Sequence, residues 1–260
     1  MAEATAWARA RHMADIALYR AGAELRSEAS RTYAGYLWWV VHPLLSLAVY
    51  YVAFEKILGR GGPGYATFLF CGIIFWQWFS STVLRCSNSL IAARGLMQQV
   101  NLHKLVFPCS VVLVNLAKFA VTFVLLLVVL LLAGHAPALS WSALVPLLLL
   151  QVLLVVAFGC ATASVSPFFP DFHHLLETTL QLLFFLSGIF FDAARLGPEL
   201  QGLLRFNPIA SLITQYRRVL LDGQWPEWGA LAIPCAEVLV VLFLAVGAIH
   251  RFDKLYAKLS

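Results

Sequence analysis

One cluster in the sequence combines residue types that could do acid–base or metal chemistry: Asp171, His173 and His174. A carboxylate and two imidazoles this close together could bind a metal ion or transfer protons. The alternative is a polar turn that caps the following helix, which ordinary capping preferences favour. The chain contains no nucleotide-phosphate loop, nucleophile elbow, zinc-protease motif or dinucleotide-binding glycine pattern. The sequence therefore offers little support for a stand-alone enzyme.

Three charged residues lie within apolar stretches: Lys118, Glu177 and Glu237. Charge inside a membrane span is costly, so each is a candidate functional residue, and a structural ion pair is the alternative that we favour. A proton-coupled carrier would need ion sites near the membrane midplane and usually internal repeats, and no repeat is evident in this sequence.

Aromatic residues recur within several of the apolar stretches. Some must belong to the aromatic belts at the membrane surfaces. Others fall in the middle of a stretch, where they could form a wall along which sugar rings slide by stacking. Ordinary helix packing and lipid contact are the alternative. The candidates for such a path are Trp38, Trp39, Tyr50, Tyr51, Trp76, Phe184 and Phe190.

The composition indicates that these residues belong to a membrane protein. Of 260 residues, 61% are hydrophobic and 12% are charged, whereas soluble proteins average roughly half apolar and a quarter charged residues. A soluble enzyme, a disordered scaffold and a disulfide-stapled domain are therefore excluded. The net charge of +5 is spread over short connecting segments, which fits lipid headgroups and no nucleic acid. The five widely separated cysteines predict no disulfide framework and no metal site.

Apolar stretches of about 20 residues predict membrane-spanning helices. Six spans result, at residues 37–58, 65–84, 105–133, 141–165, 175–191 and 228–250. Residues 192–227 mix prolines and charges with moderately apolar pieces, which predicts a re-entrant or periplasmic helical hairpin between the fifth and sixth spans. The expected fold is all-α and integral to the membrane, with a single six-helix domain over residues 37–260.

Residues 1–36 form a separate cytoplasmic segment in this prediction. Interleaved apolar and charged residues predict an amphipathic helix on the inner leaflet, or a solvated helix that leads into the first span. Lysine and arginine are concentrated in this segment, in the 85–104 loop and in the C-terminal tail, which predicts that both termini are cytoplasmic. No cleavable secretory signal is apparent.

Four stretches carry a resemblance to a known family along essentially the whole chain. They are Tyr33-Ala-Gly-Tyr-Leu-Trp-Trp-Val-Val-His-Pro-Leu-Leu, the segment 95–108 ending in Lys104-Leu-Val-Phe-Pro, Phe168-Phe-Pro-Asp171, and Asn207-Pro-Ile-Ala-Ser-Leu-Ile with Tyr216-Arg-Arg-Val-Leu-Leu-Asp-Gly. In their order and spacing, the chain resembles the membrane subunit of type-2 (ABC-2) exporters, in particular the permeases that export O-antigen, capsular or teichoic-acid polysaccharides.

The resemblance implies a homodimer of six-span protomers in the bacterial inner membrane, each bound to a separate nucleotide-binding ATPase subunit. ATP and Mg²⁺ would act in that partner, with no cofactor in this chain. Other implied partners are membrane lipid, a polysaccharide or glycolipid substrate and periplasmic export components. The resemblance also implies a coupling helix that docks into the ATPase, formed by Leu96, Met97, Gln98, Gln99, Val100, Asn101 and His103.

Departures from the family pattern leave the substrate open. His42 precedes Pro43 where many relatives have an acidic residue or asparagine, and Cys109 and Pro170 stand where many have basic residues. These changes put shared salt bridges in question and leave the topology alone. The alternatives are an exporter of a small amphiphile or drug and, from another class, a stand-alone membrane enzyme or proton-coupled carrier. The abundant aromatic residues favour a glycan-lipid substrate.

Overall fold

The computed structural model describes residues 2–30, 35–59, 61–99, 102–192 and 196–252. All regular structure within these ranges is helical, as the sequence predicts. The α-helices of the described ranges are α1 (Ala2–Ser30), α2 (Leu37–Tyr51), α3 (Tyr65–Ser87), α4 (Ser89–Ala92), α5 (Arg94–Gln99), α6 (Val106–Leu132), α7 (Leu144–Val165), α8 (Phe172–Leu186), α9 (Pro198–Arg205), α10 (Pro208–Leu220) and α11 (Ala232–Arg251). A π-helix (Val52–Ile57) extends α2, and 3₁₀ helices (Leu139–Ala143, Ser166–Phe168, Trp228–Leu231) flank α7 and precede α11.

Within the described ranges, five helical units are long and apolar enough to cross a membrane. The protein is therefore a multi-pass membrane protein. The five units are Leu37–Ile57, Tyr65–Ser87, Val106–Leu132, Leu139–Phe168 and Trp228–Arg251. They confirm five of the six predicted spans, with ends that differ by a few residues.

The fifth predicted span, at 175–191, is not one long helix. Helix α8 contains 15 residues, a length of about 22 Å against the roughly 30 Å of a hydrocarbon core. It ends before Gly188, whose φ of +69° is in the left-handed region that closes many helices. The hydropathy of the sequence does not reveal this helix end, because the residues on both sides of it are apolar. A sixth span is therefore not confirmed.

Helix α3 forms the centre of the bundle. Its side chains Phe70 and Phe75 are fully buried, and the helix packs against α2, α6, α7 and α10. Helices α6, α7 and α11 are more apolar than α3 but leave more of their surface exposed. Because apolar side chains gain little by leaving lipid for protein, the fit of aromatic and small residues decides which helix is central.

Small residues allow α7 to approach α3 closely. A Cβ atom on Gly159 would lie 2.9 Å from the Sγ of Cys86, closer than normal van der Waals contact. Ala157 and Ala163 on the same helix are fully buried. These residues are therefore used for packing within the protomer.

Helix α1 packs along the first half of α6. Ala17 and Ala21 are buried on α1, and the Arg20 guanidinium lies 4.8 Å from the centre of the Phe107 ring. We call the end of the bundle that α1 contacts, where α3 and α7 finish and α6 begins, the α1 end. The opposite end, where α3 begins, is the far end.

Helices α9 and α10 form a hairpin at the far end. The Asn207 side chain caps α10 by accepting a hydrogen bond of 3.2 Å from the Ala210 amide, and Pro208 begins the helix. Farther along α10, the Tyr216 ring is fully buried and stacks on Phe75 with ring centres 3.6 Å apart. This contact lies about 15 Å along α3 from its far end.

Arg217 joins the hairpin to the bundle. Its side chain is buried, and its guanidinium donates hydrogen bonds of 2.6–3.2 Å to the carbonyls of Phe68, Gly188 and Ile189. The guanidinium also stacks over the Phe68 ring at 3.4 Å. One buried cation thus connects α10 with the first turn of α3 and the turn that follows α8.

Candidate functional site

A cleft of about 710 Å³ lies between α2, α3, α6 and α8. Polar side chains from all four helices line it, including Ser46, Gln77, Asn115 and Gln181. The Gln77 amide donates a hydrogen bond of 3.0 Å to the Ser46 hydroxyl across the gap between α3 and α2. Polar groups are expensive within a membrane bundle and usually face a pathway or a partner. The cleft is therefore the candidate functional site.

The structure brings most of the predicted aromatic residues to this cleft. Phe190 contacts the cleft residues Tyr50 and Phe184 without lining the cleft itself. Tyr51 follows Tyr50 directly but points about 100° away around the helix, where Lys56 approaches its ring to 5.7 Å. The five predicted residues that line the cleft are Trp38, Trp39, Tyr50, Trp76 and Phe184.

Aromatic rings close the cleft toward the far end. The Tyr50 ring lies 5.3 Å from Phe184 and 5.1 Å from Phe190, and Phe184 lies 5.0 Å from Phe190. Phe54 stacks on Phe190 at 4.4 Å. We call these four residues the aromatic cluster. Edge and stacked contacts of this kind hold α2 and α8 together at one end of the cleft.

Four charged side chains form an ion cluster at the α1 end of the cleft: Glu24, Glu28, Arg85 and Lys118. The Arg85 guanidinium donates to Glu24 at 2.7 Å and to Glu28 at 2.6 Å, and the Lys118 ammonium pairs with the second oxygen of Glu28. Burial raises the pKa of Glu28, but hydrogen bonds and charge from Lys118 and Arg85 outweigh burial and lower that pKa below its ordinary value. Glu28 therefore stays ionised near neutral pH.

Lys118 lies several turns inside α6, whereas its partners in the ion cluster lie near the ends of their helices. It is about 18 Å into α6 from Val106, yet it meets Arg85, which belongs to the last turn of α3, through their shared partner Glu28. The Trp39 ring, from the first turn of α2, lies 5.7 Å from the Lys118 ammonium. Helix α6 therefore projects beyond the ion cluster at the α1 end.

The other two intramembrane charges do not pair with Lys118. Glu177 is an exposed residue of α8 that lines the cleft. Glu237 is half-buried on α11, and one of its carboxylate oxygens has no hydrogen-bond partner among the described residues. The structural ion pair that we favoured thus exists for Lys118, with Glu28 of α1 as its partner.

Sequence reasoning missed the ion cluster. It treated Arg85 as a loop charge and the two glutamates as members of an amphipathic helix. A signal was present, because Glu24 and Glu28 are four residues apart and continue the face that carries Ala17 and Ala21. The spacing therefore places the two acids on the same face of α1 as the two small residues, and the structure shows that this face meets Arg85 and Lys118.

The predicted coupling residues lie on α5 and after it. Leu96 is exposed, whereas Met97 is buried in a small cluster with Leu90 and Phe107. Met97 therefore fixes α5 to its own bundle, and Leu96 is the apolar side chain that remains accessible. The side chain of Gln98 and all of Val100 and Asn101 lie outside the described residues.

The end of the predicted coupling segment also contacts the bundle. Gln99 is exposed. His103 packs against the end of α11, with its ring 4.9 Å from the ring of His250. His103 thus lies at the α1 end, beside the last turn of α11.

The histidine–carboxylate cluster lies at the start of α8. The His173 Nδ1 atom is 3.0 Å from the Ser87 hydroxyl at the end of α3. Asp171 occupies the position before α8, but its side chain makes no capping hydrogen bond. In the described part of the chain, no three His, Cys, Asp or Glu residues are grouped to hold a metal ion. Within the cluster of Asp171, His173 and His174, the His173 side chain connects α8 to α3.

Comparisons with known proteins agree on one family. The ABC-2 type transporter family matches residues 23–221. The chain is 28% identical over 232 residues to the O-antigen export system permease protein RfbA of Myxococcus xanthus, covering 88% of each chain. It is 26% identical over 213 residues to the protein of that name from Klebsiella pneumoniae, covering 82% of each. It is 24% identical over 238 residues to the polysialic acid transport protein KpsM of Escherichia coli, covering 88% of this chain and 89% of the relative.

Proposed function

Because this chain belongs to the ABC-2 type transporter family, we propose that it is the permease of an ATP-driven exporter of a lipid-linked polysaccharide in the bacterial inner membrane. The observation that carries the proposal is the cleft, with its polar walls and its aromatic residues. Sugars present hydroxyl groups and apolar ring faces, so amide, hydroxyl and aromatic side chains suit them together. The names of the O-antigen and polysialic acid relatives support the same class of cargo.

A sixth crossing by α8 and the residues after it is part of the proposal. His173 contacts Ser87 in the last turn of α3, and the Phe190 carbonyl accepts a hydrogen bond of 3.1 Å from Tyr65 in the first turn of α3. Residues 173–190 therefore accompany α3 over its whole length. A helix of 15 residues followed by a turn can do this only where other protein covers the turn, and Arg217 binds that turn.

The hairpin of α9 and α10 would then be re-entrant from the outer side. The stacking of Tyr216 on Phe75, about 15 Å along α3, supports a hairpin that dips into the membrane. An even number of crossings puts both termini on one side, and the excess of Lys and Arg in the segments at the α1 end supports a cytoplasmic location for that end.

A separate ATPase would dock at the α1 end. Helix α5 lies there with Leu96 exposed and Met97 anchored in the bundle. An anchored helix with one apolar contact residue can transmit force from a partner, because it cannot move without moving α4 and α6. ATP and Mg²⁺ belong to that partner in this proposal.

A second copy of the chain would complete the pathway. The two helices that form opposite edges of the cleft, α2 and α8, expose apolar side chains such as Leu45, Val49, Leu182 and Leu186. Two protomers that face each other through these edges would join two lateral clefts into one conduit. ATP-driven closure of the two ATPase subunits would then rock the protomers and separate the aromatic cluster, which opens the cleft to the outer side.

Reconstitution tests the proposal. The chain and its co-purifying ATPase are placed in proteoliposomes, and ATP-dependent movement of a lipid-linked glycan is followed by its protection from an added glycosidase. We expect movement that needs ATP and falls strongly for Trp39→Ala, with no change for Phe243→Ala, a lipid-exposed control on α11. Movement without any ATPase would refute the proposal. Stimulation of ATP hydrolysis by a small amphiphile and by no glycan-lipid would support the alternative cargo.

A further inference from the structure

We propose that Arg85 and Lys118 form a binding site for the phosphate group of an anionic lipid, and that Glu24 and Glu28 occupy this site until the lipid displaces them. The inference rests on the proposed function, because it assigns how the lipid end of the cargo is held. It makes α1 a helix that is released from the bundle when the cleft is loaded.

The geometry of the two cations matches the chemistry of a phosphate. Both side chains line the cleft, and both are bound by carboxylate oxygens of α1. Guanidinium and ammonium groups that converge on carboxylates can also bind a phosphate, because its oxygens are negatively charged and accept hydrogen bonds from the same donors. The carboxylates of α1 thus occupy positions that phosphate oxygens can take.

Charge balance makes the exchange specific. Two glutamates oppose two cations, and the Lys118 side chain is only 19% exposed. The glutamates cannot leave without a replacement, because a poorly solvated cation without a counter-ion is unfavourable. A diphosphate that joins a lipid to a sugar carries about one negative charge on each of its two phosphates near neutral pH, and so replaces both carboxylates at once. A phosphodiester headgroup with a single charge does not.

The surroundings of the site suit a lipid better than a soluble anion. The Trp39 ring lies beside the Lys118 ammonium, and the neighbouring Trp38 side chain is half exposed at the same edge of the cleft. Leu37 and Leu45 continue this exposed apolar surface along α2. A ligand with its phosphate between Arg85 and Lys118 can therefore keep an apolar chain against α2 in the bilayer.

The attachment of α1 suits a helix that is released. The described residues buried on its side of the contact are two small ones, Ala17 and Ala21, and the Arg20 guanidinium packs over the Phe107 ring of α6. The ion cluster adds the charged part of the contact near the end of α1, where Glu24 and Glu28 pair with Arg85 and Lys118. If Glu24 and Glu28 separate from Arg85 and Lys118, the end of α1 that precedes the first span is released from the bundle.

A binding experiment with the full chain and its ATPase in nanodiscs tests the site. The probe is farnesyl diphosphate, a water-soluble prenyl diphosphate, and hydrogen–deuterium exchange over residues 17–30 is the second readout. We expect the probe to bind the wild type and to increase exchange in this segment. Binding without increased exchange would overturn the displacement of α1.

Variants separate this site from a purely structural cluster. Glu24→Gln with Glu28→Gln removes the competing carboxylates, so we expect the probe to bind about tenfold more tightly. Arg85→Gln with Lys118→Gln should abolish binding. Asp15→Asn, an exposed acid earlier on α1, is the matched control and should bind like the wild type. If the ion cluster had only a structural role, both the glutamate variant and the Arg85→Gln, Lys118→Gln variant would bind the probe more weakly than the wild type. That result would overturn the inference.

Two further ligands identify the source of the phosphate. Inorganic diphosphate should compete weakly because it lacks the apolar chain, and vesicles of phosphatidylglycerol should compete weakly because each headgroup has one charge. Equal competition by inorganic diphosphate would refute a lipid site, and equal competition by phosphatidylglycerol would refute the charge argument. If the wild type exports glycan but the Glu24→Gln, Glu28→Gln variant binds farnesyl diphosphate no more tightly than the wild type, this inference alone is rejected. If the wild type does not export glycan, the proposed function is rejected.

Discussion

The carboxylate of Glu28 on α1 pairs with the ammonium of Lys118 on α6 at the α1 end of the cleft. Both side chains are more than two-thirds buried, with 28% and 19% of their surface exposed. The contact fixes the N-terminal helix to a charge that lies well inside an apolar stretch. It also explains how that charge is tolerated there, since a buried cation needs a nearby anion.

Removing one partner of this pair should destabilise the protein. We expect Lys118→Met to lower the free energy of unfolding by about 1–3 kcal/mol, and the double variant with Glu28→Gln to cost less than the two single variants together. Thermal unfolding of the detergent-solubilised protein measures both. The exposed pair of Arg218 and Glu227 is the control, where Arg218→Met should cost about 1 kcal/mol or less. Equal losses at the two pairs would contradict the structural argument.

Opening the aromatic cluster should make the protein leak. Phe190 touches Tyr50, Phe54 and Phe184, so Phe190→Ala removes the ring that joins the other three. We expect a several-fold faster, ATP-independent efflux of a small dye from proteoliposomes. Phe243→Ala on the lipid-exposed face of α11 serves as the control. If proteoliposomes with Phe190→Ala retain the dye as well as the wild type does, the cleft is sealed elsewhere.

Replacing Arg217 should detach the hairpin. Arg217→Met leaves the carbonyls of Phe68, Gly188 and Ile189 without their donor, and we expect a loss of about 3 kcal/mol in unfolding free energy. Limited proteolysis should then cut the hairpin between α9 and α10 faster than in the wild type. If the cleavage rate stays the same, the guanidinium does not hold the hairpin.

Enlarging Gly159 should separate α7 from α3. The Cβ of any larger residue would lie 2.9 Å from the Cys86 sulfur, so we expect Gly159→Val to cost about 1–3 kcal/mol through overpacking. Gly247 on α11 has no atom within 4 Å of the corresponding position, and Gly247→Val should be close to neutral. Thermal unfolding of both variants under identical conditions provides the comparison, and similar midpoints would argue against tight α3–α7 packing.

A charge at Leu96 should uncouple ATP hydrolysis from export. Leu96 is exposed on α5 while its neighbour Met97 is buried, so Leu96→Asp changes the docking face without disturbing the bundle. We expect normal membrane insertion, a loss of glycan export and weaker co-purification of the ATPase, because an apolar contact surface tolerates no unpaired charge. Gln224→Asp, at an exposed polar position between α10 and α11 and away from the α1 end, is the control. Undiminished export in Leu96→Asp would show that force enters elsewhere.

Hydropathy located α2, α3, α6, α7 and α11 because a long apolar run is a local property of the chain. It did not detect the end of α8 at Ser187 and Gly188, because the stretch stays apolar on both sides of that turn. Residue type identified Tyr50 and Tyr51 equally as aromatic candidates. Only the rotation of α2 in the bundle distinguishes them, since it turns Tyr50 toward the cleft.

The sequence by itself determined that this chain is helical, that it resides in a membrane and which family it resembles, because apolar content, span length and charge asymmetry are set residue by residue. The tertiary structure alone decided that α3 is central, that Glu28 meets Lys118 and that four aromatic rings close one end of the cleft. Lipid is as apolar as a protein interior, so hydropathy cannot rank one helix face against another. Shape, small residues and pairing between distant charges choose the contacts, and these depend on the whole fold.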